Sequence, residues 1–250
     1  MDAGTGSRAC WRPCRALLFD KDGTIINFRL MWLSWCREVI GALSGGYRAA
    51  LVEKSLDAWG VDLALGRIEP DGYLAIGTTA ELRGSLAGRL AEEGCSPEKT
   101  GPDVAEAMRH AYRAVEEKKL IRPIAGVAEA IAELHRRGYR LAVVTTDDTQ
   151  KAAAHLRLME LDPYFEVVLG CDRVARCKPA PDLALEACRL LGVQPAEAAV
   201  IGDTAADMQM ARSAGAACAV GVASGVTTVE ALAVEADIVL ESAAAMIEAG

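Results

Sequence analysis

The sequence predicts an α/β protein, a doubly wound, Rossmann-like core on a parallel sheet, interrupted after its first strand by an inserted all-helical domain. Three observations predict it. A lone apolar run, Ala16-Leu17-Leu18-Phe19, stands near the N-terminus with a Gly-containing turn behind it. Residues from about 30 to 120 then read as helices punctuated by Gly and Pro, with no convincing strand among them. Beyond Pro123, short apolar runs alternate with amphipathic stretches. That alternation is the pattern of right-handed βαβ units and of a parallel sheet covered on both faces.

Taken in order, residues 15–20 form a buried strand that is short, apolar and ended by a turn. Helices are expected at 33–40, 47–59, 79–93 and 102–118. Residues 127–137 form an amphipathic helix with Val127, Ile131 and Leu134 on one face, stopped by Gly138. A strand at 140–145, a helix at 149–158, a strand at 166–170, a helix at 182–191, a strand at 198–202 and a helix at 205–214 follow, with short strands near 217–220 and 238–240. The expected division is a core of residues 1–27 and 121–250 and a helical domain of residues 28–120.

The composition sets bounds. With 250 residues, 52% hydrophobic and 25% charged, the chain is globular and long enough for one large domain or two smaller ones. A net charge of −8 gives none of the basic surplus typical of nucleic-acid binders, and an anionic substrate would need local positive charge or a metal. The eight cysteines (Cys10, Cys14, Cys36, Cys95, Cys171, Cys177, Cys188 and Cys218) form no Cys-x-x-Cys pair and have no histidine at zinc-ligand spacing. They read as small buried hydrophobes in a reducing compartment, with Cys10 and Cys14 in an exposed N-terminal segment. No stretch has the apolar length of a signal peptide core or a membrane span, so a cytoplasmic protein without a membrane partner, monomeric or homodimeric, is expected.

The strand ends carry the chemistry, because ligands of open α/β sheets bind outside the carboxyl ends of the strands. The first strand ends in Asp20-Lys21-Asp22-Gly23-Thr24. Alternation along a strand lets Asp20 and Asp22 point the same way, so one carboxylate can attack while the other moves a proton. Such a pair also serves ordinary turn chemistry. The second strand ends in Thr145-Thr146-Asp147-Asp148, the third is followed by Cys177-Lys178-Pro179, and the fourth ends in Gly202-Asp203-Thr204-Ala205-Ala206-Asp207. Carboxylates crowded on one rim need a cation, and hard oxygen ligands suit Mg²⁺. Lys178 would balance the charge of nucleophile and phosphate, and Thr145 would donate to a phosphoryl oxygen. Thr204 to Asp207 also fits a capping box, which would make Asp207 structural. His110, His135 and His155 read as surface or packing residues without a catalytic role, and Trp32, Trp35 and Trp59 as packing for the insert. Neither G-x-G-x-x-G nor a Walker-type lysine loop is present, which argues against a nucleotide cofactor.

These residues resemble the haloacid dehalogenase (HAD) superfamily, in its phosphatase branch with an inserted helical cap. FDKDGT is similar to its first motif, Thr145 to its second, Lys178 to its third and GDTAAD to its fourth, in the right order and with the insert in the right place. The resemblance is nearest to phosphoglycolate phosphatases, through the Arg122–Val127 segment and the run Met208-Gln209-Met210-Ala211-Arg212-Ser213-Ala214-Gly215. Lys21 departs from the apolar residue common at its position, Thr146 from Asn, and Asn27 from Asp. The resemblance implies Asp20 as nucleophile and Asp22 as acid and base. It also implies Mg²⁺ held by Asp20, the Asp22 carbonyl and Asp203, with Asp207 behind them. Phosphate would be bound by Thr145, Thr146, Lys178 and the backbone at Gly23. The substrate implied is a small phosphorylated metabolite such as 2-phosphoglycolate, chosen by residues of the helical domain such as Arg67, Tyr73, Arg83 and Arg113. A phosphomutase of the same superfamily would share these groups, and so would a silent phosphate-binding protein, although both carboxylates of the first motif are intact here. A dehalogenase would need neither Mg²⁺ nor Asp22.

Overall fold

The computed structural model describes residues 9–69, 72–77 and 79–248. The chain divides into two compact units, Met1–Asn27 with Pro123–Gly250, and Phe28–Arg122.

The first unit begins with β1 (Ala16–Phe19). The second unit then supplies α1 (Phe28–Leu43), α2 (Ala49–Leu56), β2 (Val61–Asp62), β3 (Arg67–Ile68), α3 (Tyr73–Ile76), α4 (Thr79–Glu92) and α5 (Pro97–Glu117). The chain returns to the first unit with α6 (Val127–Arg136), β4 (Arg140–Val144), α7 (Thr149–Leu158), β5 (Val167–Leu169) and α8 (Asp182–Leu191). It ends with β6 (Ala198–Gly202), α9 (Ala205–Ala214), β7 (Cys218–Val222), α10 (Val229–Leu232) and β8 (Ile238–Leu240).

The first unit is a six-stranded sheet in the order β5-β4-β1-β6-β7-β8, parallel throughout. The chain runs outward from β1 to β5 on one side and then crosses to β6 on the other. The reversal therefore falls at β1, and the ends of β4, β1 and β6 share one rim. Alternation along β1 builds two cores. Leu17 and Phe19 join Val127, Ile131 and Leu134 of α6 on one face. Ala16 and Leu18 join Leu183, Ala187 and Leu191 of α8 and Met208 and Ala211 of α9 on the other. Burial on both faces explains why β1 reads as an unbroken apolar run. Gly138, at φ +90° just past α6, takes the left-handed conformation that a helix stop asks of glycine.

The second unit is built on α1 and α5 around an aromatic cluster. Trp35 stacks on Trp59 at 5.6 Å, and Trp32 meets Trp35 edge-on at 5.3 Å and Tyr112 at 6.0 Å. The tryptophans pack the insert, as their sequence positions suggest. Two expectations need amendment. The insert is not wholly helical, since β2 and β3 pair in an antiparallel ribbon. Two-residue strands are too short for alternation to register in the sequence. Also, α5 starts five residues ahead of the expected Pro102 and carries that proline within it. Pro97 occupies the first turn, where proline is at home, and Thr100, Val104, Ala107, Met108 and Ala111 are buried along the helix, so packing outweighs the backbone bond lost at Pro102.

The cysteine expectation is corrected as well. Cys10 is disulfide-bonded to Cys218 and Cys171 to Cys177, with Cα atoms 5.8 Å and 5.2 Å apart. Cys14, Cys36 and Cys188 are free and buried, and Cys95 is free and half-buried, so Cys14 is not exposed. The fold brings Cys10 to the start of β7 across a separation of 208 residues, which no spacing rule could reveal. Among the described residues, no helix is long and apolar enough to cross a membrane.

Candidate active site

The site forms where β1, β4 and β6 run out. Past β1 the backbone turns at Gly23, whose φ of +85° is left-handed, and a Cβ there would collide with the Asp203 carboxylate. The same carboxylate would meet a Cβ at Gly225. Glycine at both positions lets the loops after β1 and β7 close on Asp203. Ser224 Oγ donates to the Gly23 carbonyl at 2.7 Å, and Thr24 Oγ1 donates to Asp203 Oδ1 at 3.4 Å.

Lys178 is at the centre. Its Nζ lies 2.5 Å from Asp20 Oδ1 and 2.6 Å from Asp207 Oδ1, with its side chain only 3% exposed. Asp20, Asp203 and Asp207 are all buried and offer carboxylate oxygens within 4.8 Å of one another. Burial pushes the Asp20 carboxyl up to about 7, opposed by the Lys178 charge and reinforced by Asp207. Asp203 is raised well above the ordinary carboxyl range by burial and by the charges of Asp20 and Asp207. Burial pulls Lys178 downward, but the two carboxylates outweigh it and hold the ammonium above its usual range. Three buried carboxylates against one ammonium leave negative charge uncompensated. A divalent cation would balance that charge, and the all-oxygen donors fit Mg²⁺.

Asp207 serves two purposes. It closes a capping box with Thr204 at the start of α9, where Thr204 Oγ1 donates to Asp207 Oδ2 at 2.6 Å, and its other oxygen faces Lys178. The capping box and the contact with Lys178 therefore coexist, and Asp207 lies in one group with Asp20 and Asp203. Thr145, at the end of β4, is buried, and its Oγ1 accepts from the Asp147 N–H at 3.2 Å. Thr146 is exposed, and among the described residues it makes no hydrogen bond to the carboxylates or to Lys178. The Lys178–Pro179 bond is cis.

Asp22 faces a second cluster that the sequence did not announce. Lys21 is fully buried. Its Nζ lies 2.6 Å from Asp22 Oδ2, 3.3 Å from Asp147 Oδ2 and 3.3 Å from His155 Nδ1. His155, read from sequence as surface or packing, is 1% exposed and lies beside this lysine. Burial pushes its imidazole down to about 4, helped by the Lys21 charge, so the ring is neutral and Nδ1 can accept. The signal available was Lys21 itself, a charge embedded between two aspartates at the end of a buried strand.

Of the four residues expected to choose the substrate, Arg67 pairs with Glu69 and Arg113 with Glu106 at exposed positions, and Tyr73 and Arg83 are exposed.

The family model of the haloacid dehalogenase-like hydrolases matches residues 14–215, which include every carboxylate described above, Lys21 and Lys178. The chain belongs to that family. It is 32% identical over 203 residues to a phosphoglycolate phosphatase of Cupriavidus necator, a match covering 81% of this chain and 78% of that protein. It is 34% identical over 124 residues to the pyrophosphatase PpaX of Halalkalibacterium halodurans, covering 50% of this chain and 57% of the relative. Among solved structures, a Thermotoga maritima protein provisionally assigned as a β-phosphoglucomutase superposes with a TM-score of 0.69 at 23% identity, covering 94% of this chain and 97% of that one. That likeness concerns the fold.

Proposed function

We propose that this HAD-like hydrolase is a Mg²⁺-dependent phosphomonoesterase that works through an aspartyl-phosphate on Asp20, with a small phosphorylated metabolite as substrate. The observation that carries the proposal is the buried trio of Asp20, Asp203 and Asp207 with Lys178 against Asp20. Three buried carboxylates with oxygens within 4.8 Å of one another and an ammonium stand together there, which supports a nucleophile, a cation and a phosphate-balancing charge at one place.

Asp20, Asp203 and the Asp22 backbone carbonyl would hold Mg²⁺, with Asp207 beside them. The ion, when bound, neutralises the carboxylates and the phosphoryl oxygens. Lys178 aligns Asp20 and balances the charge of the incoming phosphate. Thr145 and the backbone N–H groups near Gly23 bind the phosphoryl oxygens. An Asp20 oxygen attacks phosphorus as the bond to the leaving oxygen breaks, and Asp22, protonated, gives its proton to that oxygen. Asp22, now a carboxylate, takes a proton from water as the water oxygen attacks phosphorus and the bond from phosphorus to the Asp20 oxygen breaks. Inorganic phosphate leaves and Asp20 is restored. Positioning and charge stabilisation do the catalytic work.

For substrate, we propose 2-phosphoglycolate or a similarly small ester, in keeping with the Cupriavidus necator relative and its span of the chain. Selection of the ester is assigned to residues 28–122, the inserted unit. The test is phosphate release from 2-phosphoglycolate, pyrophosphate, glucose 1-phosphate and other small phosphates, with Mg²⁺ and with EDTA. Metal-dependent release from an ester supports the proposal. Isomerisation of a sugar phosphate without phosphate release would make the chain a mutase, and no turnover of any phosphate would sink the reading.

A further inference from the structure

We infer that Lys21 is the positioning residue for Asp22: its ammonium, anchored by Asp147 and His155, fixes the carboxyl group that hands a proton to the leaving alcohol. The inference rests on the general-acid reading of Asp22 given above.

The geometry points this way on three counts. First, a lysine with no exposed surface is costly unless its charge and its donors are met. Lys21 meets both within one cluster. An ammonium has three N–H donors, and three acceptors surround this one: Asp22 Oδ2, Asp147 Oδ2 and His155 Nδ1. Second, two of those acceptors are themselves held. Asp147 is bridged by Lys151 at 3.1 Å, and His155 is buried in α7. Lys21 is thus a tripod with two fixed feet, and the third contact determines where Asp22 sits. Third, the grip takes one oxygen of Asp22 and leaves the other. Oδ2 is bound to Lys21, whereas Oδ1 is buried with no hydrogen-bond partner. A buried carboxyl oxygen without a partner is unfavourable unless something arrives to use it. Here that is the proton and the ester oxygen receiving it.

The full-length Lys21→Met variant tests the inference, read as kcat/KM, which spans phosphoryl transfer to Asp20 and loss of the alcohol. Two esters are compared. One is the alkyl ester turned over fastest in the panel, whose alkoxide leaves poorly without a proton. The other is 4-nitrophenyl phosphate, whose phenolate leaves unprotonated. General-acid assistance is worth about 10²–10⁴-fold. The expected result is a fall of about 10²-fold for the alkyl ester and of less than about tenfold for the aryl ester. Equal losses on both, or no loss on either, overturn the inference. If Lys21→Met does not fold, His155→Leu, which removes one anchor and keeps the charge pair, should show a smaller loss with the same ester preference. An even loss there is equally fatal. Asp22→Asn in the same assay separates the two levels of argument. Should it show no ester preference, the general-acid reading falls and this inference with it. Should it show the preference while Lys21→Met does not, Lys21 alone is misassigned.

Discussion

The two units of this chain bury opposite things. The helical unit buries tryptophans, with Trp35, Trp59 and Trp32 packed ring against ring and its charged pairs on the surface, as at Glu106 with Arg109 and Arg113. The α/β unit buries charges, with Asp20, Lys21, Asp203 and Asp207 all under 8% exposed and Lys178 almost covered. Burial of apolar rings favours folding, whereas burial of like-charged carboxylates opposes it. The one unit is built for stability, and the other gives some stability up at the place where it works. Substitutions should therefore have opposite signatures in the two units.

The sharpest break in that comparison is Asp20→Asn. Loss of the proposed nucleophile should lower phosphate release by more than about 10⁴-fold, the scale on which nucleophile deletions act. The same change should raise the stability of the metal-free fold at alkaline pH. The Asp20 carboxyl moves from an ordinary 3.8 to about 7 on burial, so the folded state holds its proton more tightly than the unfolded chain does. Its contribution to stability is complete below about pH 4 and disappears as pH rises through about 7. With EDTA present, the Tm of the wild type should fall between about pH 5 and 8 more steeply than that of Asp20→Asn. Mg²⁺ should offset the fall, because at the proposed site it would bind the folded state alone. Parallel Tm curves for the two proteins would remove the uncompensated buried carboxylate from the argument.

In the helical unit the expected signature is reversed. Trp35→Ala deletes a buried ring stacked on Trp59, and truncations of that size cost about 3–5 kcal/mol. Denaturant unfolding should show that loss, and at temperatures where the variant stays folded it should still release phosphate. A variant that kept its stability and lost its activity would mean that Trp35 belongs to the chemistry.

How legible each unit was in the sequence follows from the same contrast. The α/β core was readable because strands buried on both faces are unbroken apolar runs, and because Asp20, Lys178, Asp203 and Asp207 violate that pattern at strand ends. The helical unit was readable in outline only. Its β2–β3 ribbon is two residues per strand, and its longest helix runs through Pro102, where a local rule predicts a start. The site was incomplete for another reason. Lys21 stood in plain view, but its partners Asp147 and His155 lie more than a hundred residues away, and only the pairing of β1 with β4 brings that stretch of chain alongside. The Cys10–Cys218 disulfide was invisible on the same ground.

The smallest effect separates the units at the level of a single helix start. Thr204 caps α9 by accepting from the Asp207 N–H, and the same turn aims Asp207 at Lys178. Ser96 stands at the start of α5 without a side-chain cap bond. Loss of a working cap costs about 1 kcal/mol, so Thr204→Ala should lower stability by about that much, while Ser96→Ala should stay within about 0.5 kcal/mol. The distinguishing readout is catalytic. Without the Thr204 hydroxyl, Asp207 Oδ2 keeps only the backbone N–H of residue 204 as donor, at 3.1 Å, so Thr204→Ala should also raise modestly the Mg²⁺ concentration needed for half-maximal phosphate release, whereas Ser96→Ala should leave it unchanged. If Thr204→Ala lost stability with no change in metal requirement, the capping box would be structural alone. The charge cluster would then be held by Lys178 without help from the helix it sits on.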